Sequence, residues 1–251
     1  MHNNPPYISV IIPAYNESGR IENTLVETTT FLRNQNYSWE LIVVDDGSRD
    51  DTSAVVTSCI ENIPDARLIS YLPNAGKGRA VKTGILDSSG EYVLFMDADN
   101  STRITEIESA WPLMDEGGCH IAIGSRGLHR SDTRVHQPVY RKIGSWTFKW
   151  FHRLTIGLGF IADTQCGFKL FRGDVARWLF TQMRIDGFMF DIESLYLAQK
   201  LGLTIKEFPV IWMNDPDSRL RLFYDTFRMF KHLASIRMRP VRPLRAKMPE
   251  L

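Results

Sequence analysis

Five short apolar runs mark the first half of the chain: residues 7–12 (YISVII), 39–44 (WELIVV), 66–72 (ARLISYL), 91–96 (EYVLFM) and 120–125 (HIAIGS). Each is continuous rather than alternating, the pattern of a strand covered on both faces, so each is predicted to lie in a buried sheet. Helical spacing falls between them, near residues 20–34, 51–62, 77–88 and 104–116. Strand–helix–strand alternation with short links predicts an α/β fold with a mostly parallel, doubly wound sheet.

The second half breaks this rhythm. A polar loop, 127–138, leads into a basic, aromatic run at 139–160 that reads as helix, followed by DTQCGFKLF (163–171). Helices are predicted near 173–182 and 191–201 and a strand at 204–209. In the last segment Leu220, Phe223, Phe227, Phe230 and Ala234 keep helical spacing with basic residues between them. The expected organisation is one domain over residues 1–218 with a basic amphipathic tail over 219–251.

With 43% hydrophobic and 24% charged residues, the composition is that of an ordinary soluble domain. Three cysteines, Cys59, Cys119 and Cys166, form neither a zinc spacing nor a disulfide framework, which fits a reducing compartment. The apolar run at 8–12 is too short for a signal-peptide core or a membrane span.

Charge changes the picture. Residues 219–247 hold nine Lys/Arg against the single acid Asp225, a balance of +8 that leaves the rest of the chain at −7 out of an overall +1. Residues 126–153 hold seven more against Asp132. Cations interleaved with Trp146, Phe148, Trp150 and Phe151 suit an anionic membrane surface, with aromatics at headgroup depth. The alternative is that these aromatics pack on the sheet while the cations solvate. A nucleic-acid partner would account for the basic tail but not for the acidic strand ends described next.

Ligands of open parallel sheets bind beyond the carboxyl ends of strands. Three predicted strands end in chemistry suited to that place: PAYNE with Pro13, Tyr15, Asn16 and Glu17, VDDGS with Asp45 and Asp46, and MDADN with Asp97 and Asp99. Asp97 and Asp99 are two residues apart, so on extended backbone they face one side. Clustered hard oxygen ligands suit Mg²⁺ or Mn²⁺, which also take phosphate oxygens of a substrate. The alternative for each acid is a turn or helix cap. NAGKGRA (74–80) lacks the spacing of a nucleotide-triphosphate P-loop. It reads as a tight turn before a helix, with Lys77 placed near a nucleotide.

In order, SVIIPAYNE, ELIVVDDGSRDDT, NAGKGRAVKTGI, GEYVLFMDADN, GSR and DTQCGFKLF resemble the inverting glycosyltransferases of family 2, over roughly residues 7–215. More narrowly they resemble the polyprenyl-phosphate sugar synthases, of the dolichyl-phosphate β-glucosyltransferase type. The resemblance implies the GT-A fold and a nucleotide diphosphate sugar donor. It places Pro13, Tyr15, Glu17, Val44 and Asp46 at the nucleotide, Asp97 and Ala98 at nucleotide and diphosphate, and Asp99 on the metal. The mannosyl branch often carries a metal-proximal amide two residues past that aspartate; here it is Ser101, which leaves a third protein ligand open.

A lipid monophosphate has a second pKa near about 6, so it is largely dianionic at neutral pH and needs positioning more than deprotonation. By the same resemblance Arg126, Arg141 and Lys169 would bind that acceptor phosphate, and Arg219 would clamp donor or acceptor phosphates. Asp191 is the candidate base should the acceptor instead be a hydroxyl, and Asp163 is structural or close to the metal. UDP-glucose is the expected donor, with GDP-mannose and UDP-GlcNAc as alternatives. A nucleotide-sugar-binding scaffold without activity would require a broken acidic pair, and Asp97 and Asp99 are intact. No Q-x-x-R-W motif of processive synthases occurs. The glucosyl branch commonly carries an N-terminal membrane anchor. Without one, the expectation is a peripheral protein on the cytoplasmic face of a membrane, or one held there by an integral membrane partner.

Overall fold

The computed structural model describes residues 5–115, 118–128, 157–213 and Ile236. Arg141, Arg219, most of the basic run and all of the tail except Ile236 lie outside the described residues.

Among the described residues a seven-stranded sheet is built from β1 (Ile8–Ala14), β2 (Trp39–Asp45), β3 (Ala66–Ser70), β4 (Tyr92–Met96), β5 (Ile121–Ser125), β6 (Phe168–Arg172) and β7 (Ile205–Pro209), in the order β3-β2-β1-β4-β6-β5-β7. β1, β2, β3 and β4 are parallel. β6 runs antiparallel to both β4 and β5, and β7 returns parallel to β5. The sheet is mostly parallel, as predicted.

The continuous apolar runs are explained by two covered faces. Along β1, Ile8, Val10 and Ile12 enter one core with Ile21, Leu25 and Leu32 of α1 (Ile21–Arg33) and Val56 of α2 (Thr52–Ile60). Ile11 points the other way, into a second core with Val81 and Ile85 of α3 (Lys77–Asp87).

The predicted helix over 104–116 is broken. A 3₁₀ segment, Ile104–Ser109, is followed by a single turn, α4 (Trp111–Met114). Pro112 has no N–H for a continuing helix and its ring clashes with the carbonyl four residues back, so the turn restarts around it. Ile104, Ile107 and Met114 are nevertheless buried, which is why the spacing looked helical. α5 (Gly173–Gln182) and α6 (Phe190–Lys200) cover the second core, and Ile236, 2% exposed, joins them there.

Topology locates the site. The chain winds outward from β1 through β2 to β3, then crosses by α3 to β4 on the other side of β1. Loops at the carboxyl ends of β1 and β4 therefore diverge and open a crevice. Because β6 is antiparallel, its beginning lies at that same end, with Met96 opposite Phe168.

Candidate active site

Beyond the ends of β2 and β3 lies a cleft of about 370 Å³ lined by Asp45, Gly47, Ser48, Ser53, Ser70, Tyr71 and Leu72. The Asp45 carboxylate accepts hydrogen bonds from the Ser48 N–H (2.9 Å) and from the Ser53 hydroxyl. Asp46, expected at the nucleotide, is not among the residues lining this cleft. Its carboxylate accepts from Asn74 Nδ2, Ala75 N and Gly76 N, each at 2.8 Å, and so fastens the turn that starts α3. Gly76 adopts φ +105°, where a side chain would be strained and would also strike the Asp186 carbonyl. The Val44 side chain is wholly buried in the second core.

The end of β1 is laced to the end of β2. Asn16 N donates to Ser48 Oγ, its Oδ1 accepts from Arg49 N, and Glu17 N donates to Thr52 Oγ1. The Glu17 carboxylate pairs with Arg20, Pro13 is buried within β1, and Tyr15 is half-buried.

Replacing Asp46 with Ala would leave the Ala75 and Gly76 N–H groups without their acceptor, while Asn74 keeps its bond to the backbone carbonyl of residue 46, at a cost of about 1–3 kcal/mol. The expected result is a lower Tm and a raised KM for donor, with the preference among nucleotide bases unchanged. A changed base preference in steady-state kinetics would restore Asp46 to direct contact.

At the end of β4 the backbone is pinned before the acids are placed. Ala98 O accepts from Thr24 of α1, Asn100 donates to Glu27 from a left-handed φ of +55°, and Asp99 Oδ1 accepts from Ser101 N at 2.9 Å. Asp97 N donates to Gly167 O (3.1 Å), and the Asp97 carboxylate lies directly over the Gly167 Cα. Asp97 Oδ1 is buried and makes no hydrogen bond. Lys77 Nζ stands 2.6 Å from it, out of line for a hydrogen bond but close enough for an ion pair.

Among the described residues three cations stand near the acids, and each is already matched by a carboxylate. Lys77, on the first turn of α3, pairs with Asp97 and lies 5.4 Å from the Phe95 ring centre and 6.0 Å from that of Phe188. Burial works against its charge, yet Asp97 and then Asp191 hold its pKa above the ordinary lysine value. Arg126 grips Asp163 through Nε (2.6 Å) and Nη2 (2.9 Å), 5.5 Å from the Trp212 ring centre. The loop carrying Asp163 is held in turn by Glu207 of β7, which accepts from Ala162 N and Asp163 N.

Lys169 is not at the surface. It is 1% exposed, 2.5 Å from Asp191 Oδ1 and bonded to the Cys166 carbonyl. The expected acceptor cation is thus a buried prop of the site floor. Asp191 is 4% exposed, and burial raises its pKa against the pull of Lys169 and Lys77. Gly167 and Trp212 were not singled out from the sequence. Asp45 was, beside Asp46, as an acid at a strand end, though the place at the nucleotide was given to Asp46.

Residues 9–179 match the family model for glycosyl transferase family 2. The chain belongs to that family. It is 40% identical over 244 residues to dolichyl-phosphate beta-glucosyltransferase of Dictyostelium discoideum, covering 93% of this chain and 74% of that protein. The enzymes of the same name from Saccharomyces cerevisiae and Homo sapiens are 36% and 33% identical, over 92% of this chain and 74% and 75% of theirs. Glucosyl-3-phosphoglycerate synthase from Mycobacterium tuberculosis, solved with phosphoglyceric acid, superposes with a TM-score of 0.69 at 23% identity, covering 94% of this chain and 81% of that one. Its complex with Mn²⁺ and uridine-diphosphate-glucose gives 0.68 at 22% identity, covering 94% and 80%. These likenesses establish the GT-A architecture.

As a family 2 member the protein is a hexosyltransferase. Its acids fit a divalent cation held jointly with a ligand. Among the described residues no three His, Cys, Asp or Glu side chains converge on one point, so no closed cage exists there. What is present is a buried carboxylate oxygen without a hydrogen bond, on Asp97, two residues from a second carboxylate. A hard cation bound by one or two carboxylates completes its shell with substrate phosphates and water.

Proposed function

We propose that the protein transfers glucose from UDP-glucose to a polyprenyl phosphate of the dolichyl type, inverting the anomeric centre to a β-linked product and releasing UDP. The observation that carries this reading is the sealed Asp191–Lys169 pair. A hydroxyl acceptor requires a base within reach of its proton. The acid in that part of the chain is buried on an ammonium instead, so Asp191 is no open base, and cations line the described part of the site. A phosphate acceptor, already charged, needs just that. Relatives named dolichyl-phosphate beta-glucosyltransferase over nine-tenths of the chain support the same substrates.

Asp97 and Asp99 would hold Mg²⁺ or Mn²⁺, which neutralises charge developing on the diphosphate leaving group. Arg126, backed by Trp212, is the described cation best placed for the acceptor phosphate. Arg141 and Arg219 are kept as proposals for the same role, Pro13, Tyr15 and Glu17 for the nucleotide, and Asp45 joins them. An apolar rim suits an isoprenoid chain. Phe188 beside Lys77, Ile211 and Met213 on either side of Trp212, and Phe160 near Asp163 are all exposed. Among the described residues no helix is long and apolar enough to cross a membrane. The basic stretches at 126–153 and 219–247 support attachment to an anionic bilayer surface, on the cytoplasmic side.

The test is UDP release with Mn²⁺ or Mg²⁺ from UDP-glucose, UDP-GlcNAc and GDP-mannose, with and without polyprenyl phosphate. Lipid-dependent release from UDP-glucose, lost in Asp99→Ala by about 10²–10³-fold, is the expected result. Equal release without the lipid, or with a hydroxyl acceptor, would overturn it.

A further inference from the structure

We infer that Lys77 guards the metal site: its ammonium occupies Asp97 until a diphosphate draws it away, so the divalent ion is admitted together with the nucleotide and not before it. This rests on the reading of Asp97 and Asp99 as metal-binding acids.

The geometry gives Lys77 one good partner. Its Nζ lies 2.6 Å from Asp97 Oδ1, a buried oxygen for which the structure gives no other partner among the described residues. The only other acids among the described residues that act on it are Asp191 and Asp99. Asp191 is held by Lys169, and Asp99 is the second acid of the metal pair. A divalent ion arriving alone would therefore face a cation already seated at Asp97 and would have to displace it without offering it a new anion. A diphosphate changes the exchange. It offers Lys77 a new anion, and the vacated carboxylate oxygen then faces a metal that the same diphosphate also ligates.

The reach is short. Lys77 sits on the first turn of α3, where the helix dipole favours an anion, and its stem is flexible. The turn below it is rigid: Asp46 holds residues 74–76, while Arg79 pairs with Asp186 and Lys82 donates to the Met183 carbonyl. Only the side chain has to move. Metal and nucleotide are then thermodynamically coupled through one ion pair, and the coupling is reciprocal.

Binding of Mn²⁺ to the full chain, followed by loss of the free aqueous Mn²⁺ signal in electron paramagnetic resonance, tests this with and without UDP. The wild type is expected to bind Mn²⁺ poorly alone and about tenfold or more tightly with UDP, in the usual range for coupled sites. Lys77→Met should bind Mn²⁺ alone about tenfold more tightly than the wild type, with a smaller gain from UDP. Lys77→Arg, which keeps the charge, should retain weak metal-only binding, and a thermal melt confirms that each variant is folded. Unchanged metal-only affinity in Lys77→Met overturns the guard while leaving the metal reading intact. So does an arginine variant that behaves like the methionine one. Absence of Mn²⁺ binding with UDP in every protein overturns the metal reading and the guard with it.

Discussion

Gly167→Ala is expected to abolish most transfer, with kcat falling about 10²–10³-fold, while the protein stays folded. A Cβ at this position would lie 1.9 Å from Asp97 Oδ2, 2.2 Å from its Cγ and 2.5 Å from its Oδ1. The methyl would thus occupy the place of the whole carboxylate. Asp97 cannot shift by a few tenths of an ångström to make room. It must leave its rotamer, or the start of β6 must pull away from β4 and break the Asp97 N–H to Gly167 carbonyl bond. Gly167 stands just outside β6, which begins at Phe168, so the ladder beyond survives and the Tm should fall by only a few degrees. The discriminating measurement is Mn²⁺ and UDP affinity beside activity. Weakened joint binding with a near-native melt supports the reading. Full activity in the alanine variant would mean that Asp97 works from another position.

That steric requirement shows where sequence reading stops. The four parallel strands were legible because burial on both faces writes continuous apolar runs, and their ends were legible because soluble acids after such runs are unusual. Asp97 and Asp99 stood out because they were one of three acidic strand ends in an alternating sheet, and their roles came from the family resemblance. Nothing in DTQCGFKLF, however, states that it pairs antiparallel between β4 and β5. Strand direction depends on the path of the preceding connection, not on the strand's own residues. Gly167 read as one glycine among 17 until the register put it under Asp97.

Charge was misread for a related reason. Lys169 and Asp191 are 22 residues apart, and a Lys in an otherwise apolar strand looks like an exposed cation until its buried partner is seen. The 3₁₀ break at Pro112 was visible in the sequence and was overridden by the apolar spacing around it.

The buried pair also carries the largest expected effect on stability. Lys169→Met removes one partner and leaves the Asp191 carboxylate 4% exposed and uncompensated, which costs about 3–5 kcal/mol. For a chain of this size that lowers Tm by roughly 10 °C. Adding Asp191→Leu removes the stranded charge and should recover much of the loss, because a buried pair replaced by apolar groups is often near neutral. The deficit of the single variant should depend on pH with a defined sign. Burial raises the Asp191 pKa in the folded protein, and losing Lys169 removes the main opposing charge. Between the unfolded and folded pKa values the native state then binds more protons than the unfolded one, so stability falls as pH rises, by at most about 1.4 kcal/mol per unit. Lys169→Met should accordingly melt closer to the wild type at pH 5 than at pH 8, as calorimetry at the two values would record. A deficit that is the same at both pH values would place the lost energy in packing around Phe95, which Lys169 faces at 5.6 Å, rather than in the unpaired carboxylate.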